Sequence, residues 1–314
     1  MQIIPYSGTR PGSTHGHRKV PAIAIVWLVA LLSNRVEGAT PPAPYSTPWQ
    51  LRPAAPVRVL RLDTSLASYQ NAAGVDGSTI VSLLLASAKV GKSAALLARI
   101  GLVSNDPPAG GSATVPTNLV MGGMYAPKLG GNWRMGLYLL TALPTAGGGG
   151  DDPEPADAAA IKSGVPARSA MDNAMFATND FVLFPGVDLA WVKGGWTVQG
   201  EATILELWRV RGEAVQADAR KTNFTTGLHA GCFPAKAMSL GAEIRYQRWL
   251  STPAAVEANP DARDTATLAF GPRFHLKTGE ASWLRPGLSV TIPLDQPMTD
   301  SDYLIFQVDL PYSF

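Results

Sequence analysis

The residues that could do chemistry in this chain are few in kind. Of its 4 histidines, His15 and His17 lie before Arg18, which leaves His229 and His275 in the body of the sequence. Two histidines do not complete a three-histidine zinc site. A Ser-His-acid hydrolase needs its three side chains within hydrogen-bond reach, and no Gly-x-Ser-x-Gly elbow occurs. The run Gly147–Gly150 lacks the Gly-Lys-Ser/Thr ending of a phosphate loop. The acidic group Asp151, Asp152, Glu154 and Asp157 does not define the six to eight oxygens that calcium takes, and reads as a solvated loop. No metal and no cofactor is expected. The 1 cysteine, Cys232, excludes an intrachain disulfide and reads as a small apolar side chain on a strand. What remains is a set of charged and imidazole side chains alternating with apolar ones: Arg61, Asp63, Arg99, Arg134, Asp188, Glu201, His229, Glu243, Arg245, Arg273, His275 and Arg285. Placed on one face, such a set lines a polar interior. Its members either meet solutes or pair with one another, because a buried charge needs a partner.

The elements that must carry this set are strands. Apolar residues make up 46% of the chain and charged residues only 16%, below the roughly 25% usual for soluble domains. With 31 glycines and 8 tryptophans the chain does not read as disordered. The net charge is +2 and no block of Lys and Arg occurs, so no nucleic-acid partner is expected. Arg18 and Lys19 precede an apolar run from Val20 to Leu32, followed by small residues around Gly38. Residues 1–38 therefore read as a cleaved targeting segment, with a membrane anchor as the alternative. Residues 39–56 read as a Pro-rich periplasmic segment, extended or poorly ordered, and 57–314 as the folded part.

From Val57 onward, apolar residues recur at every second position over 57–69, 79–90, 94–103, 118–127, 131–143, 181–193, 196–208, 222–233, 238–249, 265–276, 281–292 and 302–314. Short links (91–93, 128–130, 194–195, 234–237, 277–280) alternate with longer ones (70–78, 104–117, 144–180, 209–221, 250–264, 293–301). No later stretch holds 18 consecutive apolar residues, so a membrane-spanning structure must be a closed sheet. The expected fold is all-β: a closed antiparallel transmembrane β-barrel of about 12 strands, with short periplasmic turns and long extracellular loops. A soluble sandwich would show the same alternation with its apolar face inward. Aromatic residues near strand ends (Tyr69, Trp133, Trp191, Trp196, Trp208, Trp249, Trp283, Tyr312) favour the barrel, where they form interfacial girdles.

The last strand carries Phe306, Val308, Leu310, Tyr312 and the final Phe314 on one face. This pattern resembles the assembly signal of bacterial outer-membrane β-barrel proteins, which are porin-like or of unassigned type. The resemblance spans Val57 to Phe314 by topology, although its specific motif is the last strand alone. It implies a place in the outer membrane of a Gram-negative bacterium, contact with outer-membrane lipid and lipopolysaccharide, and recognition by the barrel-insertion machinery.

For function, the interior set predicts a channel or passive transporter for small polar or anionic solutes, since arginine outnumbers acid in it. The longest link carries Arg168, Asp172, Asn173, Phe176, Asn179 and Asp180 and is too apolar for a fully exposed loop. It either enters the barrel mouth as a constriction or packs on the rim. The alternative is a structural or partner-binding barrel with a closed lumen. A membrane-embedded hydrolase is the third reading.

Overall fold

The computed structural model describes residues 45–127 and 129–314. The targeting segment 1–38 and residues 39–44 of the Pro-rich stretch lie outside the described residues. Twelve antiparallel staves form a closed barrel. They are β1 (Val59–Gln70), β2 (Asp76–Val90), β3 (Ala94–Asp106), β4 (Leu119–Tyr125), β5 (Trp133–Leu143), β6 (Asp180–Lys193), β7 (Trp196–Arg209), β8 (Arg220–Ala235), β9 (Met238–Trp249), β10 (Asp264–Phe274), β11 (Gly287–Pro293) and β12 (Leu304–Ser313). Each pairs with its chain neighbours, and β1 closes on β12, with Asp63 opposite Asp309 and Leu60 opposite Tyr312. Closure leaves no sheet edge, so the ladder satisfies the backbone without water.

The order of the staves follows from period two. Leu62, Leu66, Ile100, Leu228, Ile244 and Phe306 all point outward and are exposed. Their neighbours Asp63, Ser65, Arg99, His229, Glu243, Arg245 and Gln307 point inward and are buried. This is the reverse of a soluble sandwich, whose apolar face would be the covered one. The outward side chains of the last strand are exposed at Phe306, Leu310 and Tyr312. Tyr125, Trp133, Trp196 and Tyr312 form an exposed aromatic band near the short-turn end. Tyr69 does not join a girdle: its ring stacks on Tyr303 at a centroid distance of 5.0 Å. Among the described residues no helix is long and apolar enough to cross a membrane.

Several links differ from their sequence reading. The β1–β2 link is a tight Asn71-centred turn, because Asn71 Oδ1 accepts from the backbone of Ala73 and Val75. Ala113–Pro116 pairs with β3 and leads into β4. Pro286 and the short ladder between Leu276–Lys277 and Trp283–Leu284 interrupt the β10–β11 hairpin.

Two segments fill the barrel. The 144–179 link folds into it as α1 (Pro155–Ala167) and the one-turn α2 (Asn173–Phe176). Pro155 at the helix start, Asp157 in the first turn and an alanine run favour α1. Its Ile161 and Val165 pack with Met175 and Phe176 against Leu83, Val103, Leu140 and Leu207 of the wall. The second filling segment, from the described part of the Pro-rich stretch read as periplasmic, also enters the barrel. Residues 45–56 form a strap inside it, with Trp49 and Leu51 almost wholly buried. Without a strand partner, the strap's backbone bonds come from wall side chains, as buried amides require. Trp49 and Gln50 donate their N–H groups to Glu243 at 2.9 and 3.1 Å, and Arg52 N donates to Glu201 at 2.6 Å. The wall makes room with glycine: a Cβ at Gly227 would collide with Leu51, and one at Gly231 with Ser46.

The outward apolar face predicts a specific response to charge. Leu228→Arg, at mid-strand on that face, should lower stability in lipid vesicles by about 2–4 kcal/mol, measured by denaturant unfolding. A change within about 0.5 kcal/mol, ordinary for a soluble surface, would contradict a lipid-facing position.

Candidate functional site

The inner wall and its two inserts meet at the middle of the barrel in a chain of alternating charges. Arg273 of β10 pairs with Asp309 of β12, and Asp309 with Arg61 of β1 at 2.6 Å. Arg61 lies 3.6 Å from Asp63, which receives Arg168 of the inserted loop at 2.8 Å. Arg168 in turn holds Asp172 at 3.0 Å, and Asp172 reaches Arg99 of β3 at 2.7 Å. Arg168 grips Asp63 with both Nη atoms, and Nη1 also donates to Ser65. This is the fork geometry that suits guanidinium and carboxylate. The loop thus gives a cation to a wall acid and an acid to a wall cation.

Local backbone explains why Arg168 and Asp172 reach opposite partners. α1 ends at Pro166 and Ala167, and Ser169 and Ala170 follow with φ of 54° and 53°. Neither is glycine, so this left-handed pair is a sparsely populated conformation held by its surroundings. It turns the chain so that Arg168 and Asp172 point back to the wall. Burial alone would raise the Asp172 carboxyl. Arg99, Arg168 and Arg52 outweigh burial and hold it well below the usual carboxylate range.

The strap forms a second group with the wall. Arg52 pairs with Glu201 and lies over the Tyr138 ring at 4.5 Å. Tyr45 donates to Gln199, and Arg134 lies over the Tyr45 ring at 5.2 Å. Asp188 sits opposite Glu201 in the β6–β7 register. Glu243 accepts from Arg245 at 2.7 Å as well as from the strap. Loop and strap come together around a cavity of about 10 Å³ bordered by Arg52, Arg99, Met171 and Asp172, about the room one water needs.

The remaining residues singled out from sequence lie elsewhere. His275 bonds Ser239 at 2.9 Å near the short-turn end, and the half-buried Arg285 donates to Ser313 there. Asn173 reaches Asn223 of the wall. Phe176 packs on Gly164 in the apolar part of the plug. Asn179 and Asp180 are not at the constriction. Asn179 accepts from Gly150 N at the rim, and Asp180 opens β6 and pairs with Lys221 at 2.8 Å. Sequence reasoning missed Asn118, Tyr138, Arg52 and the charge of Asp309. Asn118 donates to the carbonyls of Ala174 and Ala177 and accepts from Ala146 N, tying both ends of the loop to the wall. Asp309 was visible on the inner face of the last strand; with it, arginine and acid nearly balance on the wall.

The hydrolase reading meets a specific geometry. Ser46 Oγ lies 3.2 Å from His229 Nε2, but Glu243 lies 3.8 Å from His229 Nδ1, too far for a hydrogen bond. Glu243 is occupied by Arg245 and two strap amides, and Ser46 is packed onto Gly231. A cavity of about 600 Å³ opens on the outer face above Gly200 and Gly227, away from the lumen.

A closed twelve-stranded barrel with an apolar exterior and a charged interior has the architecture of outer-membrane barrels. Neither a protein-family model nor a curated protein sequence matches the chain. Among solved structures it is similar to an outer membrane channel from Pseudomonas putida F1, with a TM-score of 0.52 and 12% identity over 88% of this chain and 100% of that one. It also matches the NanC porin, with a TM-score of 0.48 and 10% identity over 81% and 98% of the two chains. A structure of the KdgM porin with disordered oligogalacturonate matches with a TM-score of 0.44 and 9% identity over 81% and 99%. The first of these supports the barrel fold.

The charge chain predicts the cost of cutting it. Arg168→Ala leaves Asp63 with Gln307 and with Arg61 at 3.6 Å, and Asp172 with one partner fewer, and should lower unfolding stability by about 3–5 kcal/mol. The shift of the urea midpoint in detergent micelles checks this. A loss under about 1 kcal/mol, ordinary for a surface pair, would mean that the loop is not held by these groups.

Proposed function

We propose that the chain is an outer-membrane channel for small polar or anionic solutes, closed in this conformation by its own inserted loop and strap. The apolar exterior supports a bilayer setting, and the charged inner wall suits water and polar solutes once the inserts withdraw. One observation carries the reading: at mid-barrel the loop is held by ion pairs, Arg168–Asp63 and Asp172–Arg99. Water can solvate both halves of such pairs, so withdrawal exchanges protein partners for solvent. An apolar contact has no such replacement.

The test is single-channel recording in planar bilayers. The wild-type chain should be closed or open only briefly. Arg168→Ala should raise the open probability by about tenfold or more, the factor that 1.4 kcal/mol carries, with anions passing in preference to cations. If Arg168→Ala and a variant with residues 155–176 replaced by a short Gly-Ser linker and residues 45–56 removed both stay closed at all voltages, the barrel is not a channel and its role is structural.

A further inference from the structure

Asp172 is a carboxylate delivered into an arginine site by the protein's own loop. We infer that this site is the channel's solute-binding site, that Asp172 occupies it in place of a solute, and that the solute is a small organic carboxylate. This inference rests on the channel reading above and names the substrate class for the same lumen.

Three features of the lumen lead to it. First, Arg99 is 8% exposed on the inner wall, and Asp172 is the carboxylate in ion-pair contact with it among the described residues, at 2.7 Å. Its wall neighbours in the register are Leu85 on β2 and Val120 on β4, neither of which can neutralise it. When the loop withdraws, Arg61 keeps Asp309 and Asp63, and Arg273 keeps Asp309, whereas Arg99 keeps no salt bridge among the described residues. Second, Arg99 Nε is buried without a hydrogen-bond partner, and so is Nε of Arg52, which borders the same small cavity. Part of each guanidinium fork therefore has no acceptor while Asp172 is in place. A carboxylate arriving free of a backbone is not bound by the loop's geometry and can meet the fork with both oxygens. Third, Asp172 sits two residues after the strained left-handed pair Ser169 and Ala170. The loop's ion pairs hold that strain, so a ligand that takes over Arg99 also relieves the backbone.

The consequence is competition. A carboxylate entering the lumen displaces Asp172 from Arg99, and the loop loses one of its two attachments to the wall charges. The solute then promotes its own passage, because it binds the open form and not the closed one. Uncharged analogues lack the group that Arg99 requires. Chloride lacks the planar pair of oxygens.

The experiment uses the full-length wild-type protein in planar bilayers at constant ionic strength, with sodium acetate, sodium chloride or acetamide in chloride added on one side. Acetate should raise the open probability by about tenfold relative to chloride, and acetamide should leave it unchanged. Asp172→Asn should be open in chloride alone and show no further response to acetate. Heat-modified mobility checks that this variant folds. Equal open probability in acetate and chloride, while Arg168→Ala still opens the barrel, would overturn the carboxylate site and leave the channel reading standing. Inorganic phosphate acting as strongly as acetate would also overturn it, since the site would then respond to any oxyanion. A barrel that no variant opens removes both readings.

Discussion

Everything inside this barrel depends on the need of buried charges for partners. A wall built from alternating strands must place every second side chain inward. Here several of those buried side chains are acidic or basic: Arg61, Asp63, Arg99, Glu201, Glu243, Arg245, Arg273 and Asp309. In an open barrel water would solvate them. In this conformation water is largely displaced by the strap and the loop, so each charge has to find a counter-charge within the protein. The result is the chain from Arg273 through Asp309, Arg61, Asp63, Arg168 and Asp172 to Arg99. Two of its members come from the loop. Loop position and wall electrostatics are therefore one problem: the loop sits where its Arg168 and Asp172 complete the sequence of signs.

The same constraint links structure to movement. The apolar part of the plug, with Ile161, Met175 and Phe176, fills space near the long-loop end. Asn118 ties the loop's backbone to the start of β4. Those contacts supply attachment without a switch. The ion pairs at mid-barrel are different in kind, since their energy depends on what else can approach the charges. A conformation held by such pairs is sensitive to ligands of the right sign. A barrel with an aliphatic interior would be equally closed and indifferent to them.

The barrel was legible in the sequence, and for a clear reason. Period two is imposed by strand geometry whatever the partner strand, so staves such as Met238–Trp249 match their sequence reading from end to end. The links were less legible, because a turn is set by one or two residues, as Asn71 does between β1 and β2. The strap was not legible. Residues 45–56 carry three prolines and no period, and their bonds go to Glu201, Glu243, Gln199 and Arg273, far along the chain. For the loop, the sequence showed a segment too apolar for water and left open whether it entered the mouth. Arg168, Asp172 and Asn173 reach the inner wall, while Asn179 and Asp180 stay at the rim, and only the register of β1 and β3 could have told them apart. Asp309 shows a further limit: its face was readable, but its pairing with both Arg61 and Arg273 depends on closure between the first and last strands.

The central claim is that the loop and the strap occupy the lumen and are held there by wall charges. Hydrogen exchange of the folded protein in lipid nanodiscs, read over residues 45–56 and 155–176, tests it most directly. Interior placement predicts slow exchange at Trp49, Gln50, Arg52 and Met175, approaching that of the wall strands, with protection in 155–176 reduced when Arg168 is replaced. Exchange at the rate of a free surface loop in both segments would contradict it.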